Sequence, residues 1–454
     1  MKLSRSRLFA VFRQFLATVC LGPILLGANS SWTSPVLPQL ENSTANFTIT
    51  HGQGSWVGSM LAVGVLITAV PSGYLADRYG MKKCVMVVSV LPTILFAVII
   101  YFTRNFYWLC FGRILTGASV GAVSVLGPMY LCEISDVTLR GTLNSFFECL
   151  VFVGIFLVSV CGAYVNYITL TLIIGALAFT CGAIFLFMPE NPTYLMSLKK
   201  YSEAGDVLVF YRGDNINVDE LLKEIQGDMD EKSKRWGSVK KVLMSKGALR
   251  GLIACVGLTI FQESSGVDAF VVYTVQIFQT AGTTIDAYRS AMIIAAVQVI
   301  STAMTIFIVE KVRRRLLLFI STIGSCLALG CMGAYFHMKE LDISFNGLNF
   351  IPLVSFTIFS LSFALGLGPV LWLLNGELFS HEIKGVANGI IITSSWICVF
   401  IVLKTFPIAM VDLGPHYTFY FSSMCMVACV IFIKFFVPET KGKTLEEIQK
   451  ELNL

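Results

Sequence analysis

Long apolar runs alternate with short polar stretches along the whole chain, and this pattern predicts a protein made of membrane-spanning helices. A helix needs about 20 mainly apolar residues to cross the hydrocarbon core, because every backbone N–H and C=O must be satisfied within the segment. About twelve runs reach this length, which predicts an all-α membrane protein. The expected spans are approximately residues 9–31, 55–76, 84–103, 106–131, 142–164, 168–188, 249–278, 288–309, 316–336, 350–376, 386–411 and 416–437.

Composition indicates the same class of protein. The 454 residues are 56% hydrophobic and only 13% charged, and the mean hydropathy is +0.76. These values lie far outside the range of soluble globular domains. The net charge of +5 is explained by basic cytoplasmic loops facing anionic lipids. We therefore expect a lipid bilayer as partner and no nucleic-acid binding.

The positions of Lys and Arg predict the orientation of the chain. With the N-terminus in the cytoplasm, about 28 of the 33 Lys and Arg residues fall in cytoplasmic segments, as the positive-inside rule favours. The exceptions are Arg104, Arg289, Lys339 and Lys404 toward the outer side and Arg113 within the membrane. The basic N-terminus and its apolar run also resemble a secretory signal, but cleavage there would reverse the charge bias of every later loop. We expect a multi-pass plasma-membrane protein with both termini cytoplasmic.

A polar segment between the first two spans is expected to be a loop on the outer side. Residues 31–54 contain no Lys or Arg and include two N-glycosylation patterns, at Asn42 and Asn46. Each pattern is short, but two in one external loop favour glycosylation of both asparagines.

The chemistry-bearing residues do not indicate an enzyme. The thirteen cysteines lie almost entirely within or beside apolar spans, and the four histidines lie at loops or span edges. No nucleophile, metal or phosphate-binding motif accompanies them. We expect no cofactor and no metal, and the sequence indicates no obligatory protein partner.

The signatures that follow the first six spans recur after the last six. Pro189-Glu190 ends the sixth span and Pro438-Glu439 the twelfth. Parallel six-helix repeats of this kind are typical of transporters whose site lies between the halves. We expect a cytoplasmic N-terminus at 1–8, six-helix bundles at 9–188 and 249–437, a cytoplasmic amphipathic helical linker at 189–248 and a cytoplasmic tail at 438–454.

Acids and bases at matched positions predict a cytoplasmic gate. They would form ion pairs across the halves in one state and separate in the other, although bases that set topology and acids that cap helices would give the same pattern. The expected gate residues are Asp77, Arg78, Glu133, Arg140, Glu310, Arg314, Glu377 and Lys384.

From about residue 20 to the tail, the chain resembles the sugar porters of the major facilitator superfamily. Thr33-Ser34-Pro35 and Tyr273 to Phe278 make it most similar to the insect facilitated trehalose and hexose transporters. The stretches that carry the family resemblance are Gly73 to Arg78, Phe111-Gly112-Arg113, Pro128 to Ile134, Arg140-Gly141, Pro189 to Pro192, Gln262 to Tyr273, Gly368 to Trp372 and Pro438 to Gly442.

This resemblance implies a set of sugar-binding residues, four of which depart from the family pattern. Glu148 aligns with a family Gln on the fifth span and Gln298 with a family Asn on the eighth. In the seventh span the family has Gln-Gln-x-Ser-Gly-Ile-Asn-Ala, whereas Glu263 and Asp268 replace its second Gln and its Asn here. A carboxylate accepts hydrogen bonds from sugar hydroxyls but cannot donate them. The run Ser264-Ser265-Gly266 is a poor helix former and predicts local unwinding. The other implied substrate-binding residues are Gln262, Tyr273, Gln298, Glu148, Trp372, Trp396 and Asn29.

The cargo and the energy source are left open by these residues. Asn29 stands where proton-coupled relatives carry an acid, which favours facilitated transport of a small neutral sugar, a hexose or a trehalose-like disaccharide, by alternating access. Intramembrane acids with Arg113 as a counter-charge favour the alternative of a proton-coupled sugar, polyol or cationic-solute transporter. A sugar sensor that does not transport is a third possibility.

Overall fold

The computed structural model describes residues 5–41, 47–102, 104–213, 216–234, 245–309, 311–343, 348–379, 383–443, 447–448 and 450. Within these ranges nearly every residue is helical and no strand occurs, which confirms the predicted all-α class. The expected glycosylation sites Asn42 and Asn46 and the expected gate residue Glu310 lie outside the described residues.

Nine helices cover the part of the chain before the linker, within the described ranges. They are α1 Arg5–Cys20, α2 Pro23–Ser31, α3 Thr33–Glu41, α4 His51–Tyr79, α5 Met81–Cys84, α6 Leu91–Phe102, α7 Phe106–Ile134, α8 Val137–Tyr164 and α9 Tyr167–Phe185. A π-helical segment, Val85–Val90, joins α5 to α6.

The linker and the rest of the chain are built in the same way. The described helices are α10 Pro192–Ser197, α11 Tyr201–Arg212, α12 Val218–Lys234, α13 Lys246–Ser264, α14 Val267–Ala281, α15 Ala287–Val309, α16 Arg314–Glu340, α17 Ile351–Leu365, α18 Leu367–Glu377, α19 Lys384–Asp412 and α20 Pro415–Phe436. A short 3₁₀ turn, Leu348–Phe350, precedes α17.

Eleven segments in the described part of the chain are long and apolar enough to cross a membrane. They correspond to the predicted spans except the seventh, 249–278, which forms α13 and α14 with a break at Ser265 and Gly266. The break is where the Ser-Ser-Gly run predicted one.

The first span is longer than predicted, and part of the expected loop is helical. A bend at Gly22, whose φ is +90°, separates α1 from α2, and α3 then continues to Glu41. The prediction that residues 31–41 form a loop was wrong. It was based on the hydroxyl side chains and prolines of this segment, which are typical of loops. Thr33 and Ser34 are in fact 0% and 4% exposed, buried within the fold.

Glycines allow neighbouring spans to touch through their backbones. A Cβ on Gly27 of α2 would lie 1.9 Å from the carbonyl oxygen of Val151, and one on Gly154 of α8 would lie 2.2 Å from that of Ile24. Each glycine thus accommodates the backbone of the opposite helix, which is the small-residue packing typical of membrane proteins.

The linker helices pack against the start of the chain through one face of α11. Tyr211 on this face is fully buried. The Gln14 side chain of α1 donates to the Tyr211 carbonyl at 2.6 Å, and Arg13 donates to the Phe210 carbonyl at 3.1 Å. The amphipathic pattern therefore serves to seat α11 on the membrane-spanning part.

Contacts divide the chain into two compact units. Unit 1 contains Met1–Ser30, Val63–Ile155 and Ile168–Gly237, and unit 2 contains Ser31–Ala62, Phe156–Tyr167 and Ser238–Leu454. Unit 2 therefore includes segments from the first, second and fifth spans together with every span from the seventh onward, whereas the sixth span lies in unit 1.

Candidate functional site

The break between α13 and α14 brings polar side chains of the predicted seventh span together. Gly266 adopts a left-handed conformation with φ +84°, which a glycine accommodates without steric cost. On an unbroken helix, side chains five residues apart point about 140° apart. Across this turn, however, the carboxyl groups of Glu263 and Asp268 lie within hydrogen-bonding range of each other.

Glu263 is buried, with 4% of its surface exposed. Its Oε1 accepts a hydrogen bond from the Ser395 hydroxyl at 3.1 Å. Its Oε2 receives none from an amide or hydroxyl of the described residues. Two carboxyl groups in contact require a proton between them or a donor from a ligand, because two carboxylates would repel.

Two further predicted site residues are the sequence neighbours of Glu263 and of its hydrogen-bond donor Ser395. Gln262 lies beside Glu263, and its Oε1 is also buried without a described donor. Trp396 follows Ser395 in α19 and is partly exposed. The oxygens of Gln262 and Glu263 are of the kind that accepts hydrogen bonds from a hydroxyl-rich molecule, and an indole ring is of the kind that packs on such a molecule.

Trp372, Gln298 and Tyr273 have different surroundings within unit 2. Trp372 in α18 is 49% exposed, so its ring is available for contact, and Gln298 in α15 is half-buried. The Tyr273 side chain is 2% exposed, and its hydroxyl donates to the Leu403 carbonyl at 2.7 Å. Its backbone is non-helical, with φ −119° and ψ 15°, so α14 is kinked there.

Three polar residues of the spans in unit 1 have defined positions. Arg113 is completely buried and donates to the Asn29 carbonyl at 2.8 Å and the Thr116 hydroxyl at 3.4 Å. The Asn29 side chain donates to the Thr93 hydroxyl at 3.2 Å. Glu148 lies exposed on α8. Arg113 therefore ties α2 to α7 through a backbone carbonyl.

The expected gate residues of unit 2 form a compact polar cluster. Arg314 lies 3.3 Å from Glu377, and the Thr440 hydroxyl donates to the other oxygen of Glu377 at 2.5 Å. Lys384 donates to the Gly376 carbonyl at 3.2 Å. Glu377 therefore links the start of α16 to the segment that follows α20.

In unit 1 the corresponding cluster centres on Arg212 of the linker. Its guanidinium donates to the Glu133 carbonyl at 3.2 Å and lies 3.7 Å from Asp136. Burial lowers the pKa of the Arg212 guanidinium, and the charge of Asp136 opposes that shift. Arg78 donates to the Tyr74 hydroxyl at 3.4 Å. Asp77 and Arg140 are placed in the same unit, at the end of α4 and the start of α8.

The repeated Pro-Glu signature has a structural role that the sequence analysis did not assign. Glu190 accepts a hydrogen bond from the Lys82 backbone N–H at 2.9 Å, in the first turn of α5. Glu439 accepts from the N–H groups of Arg314 and Arg315 at 3.0 and 3.3 Å, at the start of α16. Each carboxylate therefore caps a helix start, where N–H groups lack partners within the helix.

Comparison with known proteins matches nearly the whole chain. Residues 16–452 fit the family model described as "Sugar (and other) transporter". The "Facilitated trehalose transporter Tret1-2 homolog" of Drosophila sechellia is 32% identical over 447 residues, covering 97% of this chain and 91% of that relative. The "Facilitated trehalose transporter Tret1" of Culex quinquefasciatus is 33% identical, covering 97% and 86%.

Solved structures share the fold. The xylose transporter XylE from E. coli, in a structure described as an inward open conformation, has a TM-score of 0.81 and 22% identity, covering 97% of this chain and 99% of that one. A partially occluded inward open structure of XylE has a TM-score of 0.80 and covers 97% and 100%. The likeness establishes the major facilitator architecture.

Proposed function

Because this chain belongs to the family of sugar (and other) transporters, we propose that its cargo is a small neutral sugar, a hexose or a disaccharide such as trehalose, moved by facilitated transport. The observation that carries the proposal is the broken helix at Gly266. Unwound helices near the membrane midplane are where transporters of this architecture bind substrate. The break is bordered by Gln262, Glu263 and Asp268, all of which accept hydrogen bonds.

Each binding residue has a role that follows from its chemistry. Sugar hydroxyls donate to the Gln262 and Glu263 oxygens that lack a described protein donor. Ser395 fixes the orientation of Glu263 by its hydrogen bond. The indole rings of Trp396 and Trp372 pack on the apolar face of the sugar ring. We assign Gln298, Tyr273, Glu148 and Asn29 to the same pathway on the basis of the sequence pattern.

The transport cycle in this proposal is alternating access between two ends of the path. The polar clusters around Glu377 and Arg212 lie at the cytoplasmic end, because the basic residues of the chain concentrate there. Both termini are then cytoplasmic, and the α3–α4 connection faces outward at the plasma membrane. Glycosylation of Asn42 or Asn46, read as a mass shift removed by glycosidase and by Asn→Gln substitution, tests this orientation.

Uptake in cells expressing the chain tests the cargo. We expect saturable entry of labelled glucose or trehalose that stops at equal concentrations on the two sides. Trp372→Ala should raise the KM by about threefold to tenfold. Trp108→Ala is the matched control, since Trp108 has a similar exposure of 51% and lies in α7, outside the proposed site. Saturable binding without net flux would indicate a sensor instead.

Proton-coupled transport is the second candidate, and the contact between Glu263 and Asp268 favours it. An exchangeable proton shared by two carboxyl groups at the substrate site is one way to link proton and sugar movement. A further titratable group beside Glu263 is Cys398 of α19. Accumulation of sugar above its external concentration, abolished by a protonophore, would establish coupling. Uptake indifferent to the protonophore would establish facilitation.

A further inference from the structure

A lysine lies inside an apolar helix at the end of the molecule remote from the Glu377 cluster. Lys404 belongs to α19, eight residues before the helix ends at Asp412. An ionisable side chain within a membrane-spanning helix is costly to insert and is functional by default. Lys404 therefore requires partners that compensate for its partial burial.

Two of its contacts are with consecutive residues near the start of α4. The Lys404 ammonium donates to the Ser55 hydroxyl at 2.8 Å and lies 3.9 Å from the centre of the Trp56 ring. Ser55 is 1% exposed, and its own hydroxyl donates to the Gly52 carbonyl at 2.8 Å. That bond leaves the Ser55 oxygen free to accept from Lys404, while the Trp56 ring supplies a cation–π contact.

The neighbouring residue of α19 reinforces the same junction. The Leu403 carbonyl accepts the Tyr273 hydroxyl hydrogen bond. A Cβ on Gly58 would lie 2.3 Å from that hydroxyl, so Tyr273 presses directly on the backbone of α4. Lys404 contacts α4 directly, and Leu403 contacts it through Tyr273. Together the two contacts fix a stretch of α4 about one helical turn long.

We propose that Lys404 is a gate-positioning residue. Its hydrogen bond to Ser55 and its cation–π contact with Trp56 hold this end of the transport path closed. The inference rests on the proposed alternating-access function, because opening this end separates α4 from α14 and α19. Lys404 must release both partners in that step. Its charge therefore favours the state that is closed here and open at the opposite end.

Chemical accessibility beneath the junction tests the proposal without reference to any cargo. Ser59 lies one helical turn beyond Ser55 and is 0% exposed, so a cysteine there should react with a membrane-impermeant maleimide only when this end opens. In the Ser59→Cys background, Lys404→Met should raise the labelling rate by about threefold to tenfold. Lys404→Arg, which keeps the charge, should restore a rate near that of the parent. Labelling of the chain without Ser59→Cys measures the background reaction of the thirteen native cysteines, which is subtracted.

A matched control separates gate closure from a general effect of losing a lysine. Lys339 donates to the carbonyls of Thr280 and Ala281 at 2.7 and 2.9 Å, and these contacts do not involve α4. Lys339→Met should leave labelling unchanged. If Lys404→Met fails to reach the membrane, Ser55→Ala removes the acceptor instead and should raise labelling by about twofold.

Two results would overturn the inference. One is labelling of Lys404→Met at the parent rate, and the other is an equal increase in Lys339→Met. Sugar kinetics give an independent readout, since loss of the gate contact should lower the KM for entry at this face, whereas general structural damage should lower the maximal rate alone. Increased labelling in a chain that carries no sugar would support the gate and refute the proposed cargo.

Discussion

The side-chain amide of Gln276 donates a hydrogen bond to the carboxylate of Glu41 at 3.0 Å, although 235 residues separate them in the chain. His51 reaches the same carboxylate oxygen, with its Nδ1 3.0 Å away. Glu41 therefore joins the end of α3 to the first residue of α4 and to α14. Like Lys404, Glu41 thus forms polar contacts between α4 and the later helices of unit 2.

Glu41→Ala should destabilise the state in which the Lys404 end of the transport path is closed. The substitution removes an acceptor shared by two side chains, so we expect the KM for sugar entry at this end of the transport path to fall by about threefold to tenfold. Glu340 is the matched control, because its carboxylate lies 2.7 Å from His416 in another Glu–His pair of unit 2. Equal KM values for the Glu41 and Glu340 variants would contradict the prediction.

Substitutions at Glu263 should distinguish the need for hydrogen bonding from the need for charge. Glu263→Gln still accepts from Ser395 and can donate to Asp268, so uptake should stay within about threefold of the parent. Glu263→Leu leaves both partners unsatisfied, and a loss of about 1–3 kcal/mol corresponds to a roughly 5-fold to 150-fold fall in uptake. Initial rates of labelled-sugar uptake, normalised to surface protein, provide the measurement. A leucine variant as active as the glutamine variant would refute the role of this pair.

Glu377→Gln should slow the conformational cycle without preventing expression. The change weakens the ion pair to Arg314 and the charge-assisted bond from Thr440, and we expect the maximal uptake rate to fall by about threefold to tenfold. Glu133→Gln tests the corresponding position of the first half. Glu203→Gln serves as control, since Glu203 forms an exposed pair with Lys200 in the linker. Unchanged uptake in both gate variants would exclude the gate.

Glu190→Gln and Glu439→Gln should each lower stability. The amide of Glu190→Gln can still accept from the Lys82 N–H, whereas Glu439→Gln keeps one acceptor oxygen and loses the one that accepts from the Arg315 N–H. Both variants also lose the charge that favours a helix start, at a cost of about 0.5–1 kcal/mol each. The detergent-solubilised protein should therefore show a lower Tm for each variant, while Glu203→Gln should match the parent. A Tm unchanged by both substitutions would mean that the caps do not contribute to stability.

Hydropathy predicted the spans because the bilayer imposes length and apolarity on every segment that crosses it. The break at Gly266 could also be predicted, since Ser264, Ser265 and Gly266 have low helix propensity together. The helix at 33–41 was missed because Thr33, Ser34 and Pro35 are typical of loops. Their burial depends on packing against distant parts of unit 2, such as the Val275 N–H that donates to Ser34 at 3.3 Å.

The candidate site was predicted only in part, for a related reason. The resemblance supplied Gln262, Glu263 and Asp268, but the partnership of Glu263 with Ser395 joins residues 132 positions apart. No periodicity or motif links such positions. The same holds for Lys404 and Ser55, whose contact exists only after the chain has folded.

The caps at Glu190 and Glu439 have a consequence for the order of biogenesis. The acceptor of the Lys82 N–H lies 108 residues later in the chain, and that of the Arg314 N–H lies 125 residues later. The third span of each bundle therefore leaves the ribosome with an unfinished N-terminus, which is completed only when the sixth has been synthesised. A nascent chain arrested before residue 190 lacks the carboxylate that caps Lys82. In each six-helix repeat, therefore, the third span is completed only after the sixth span has been synthesised.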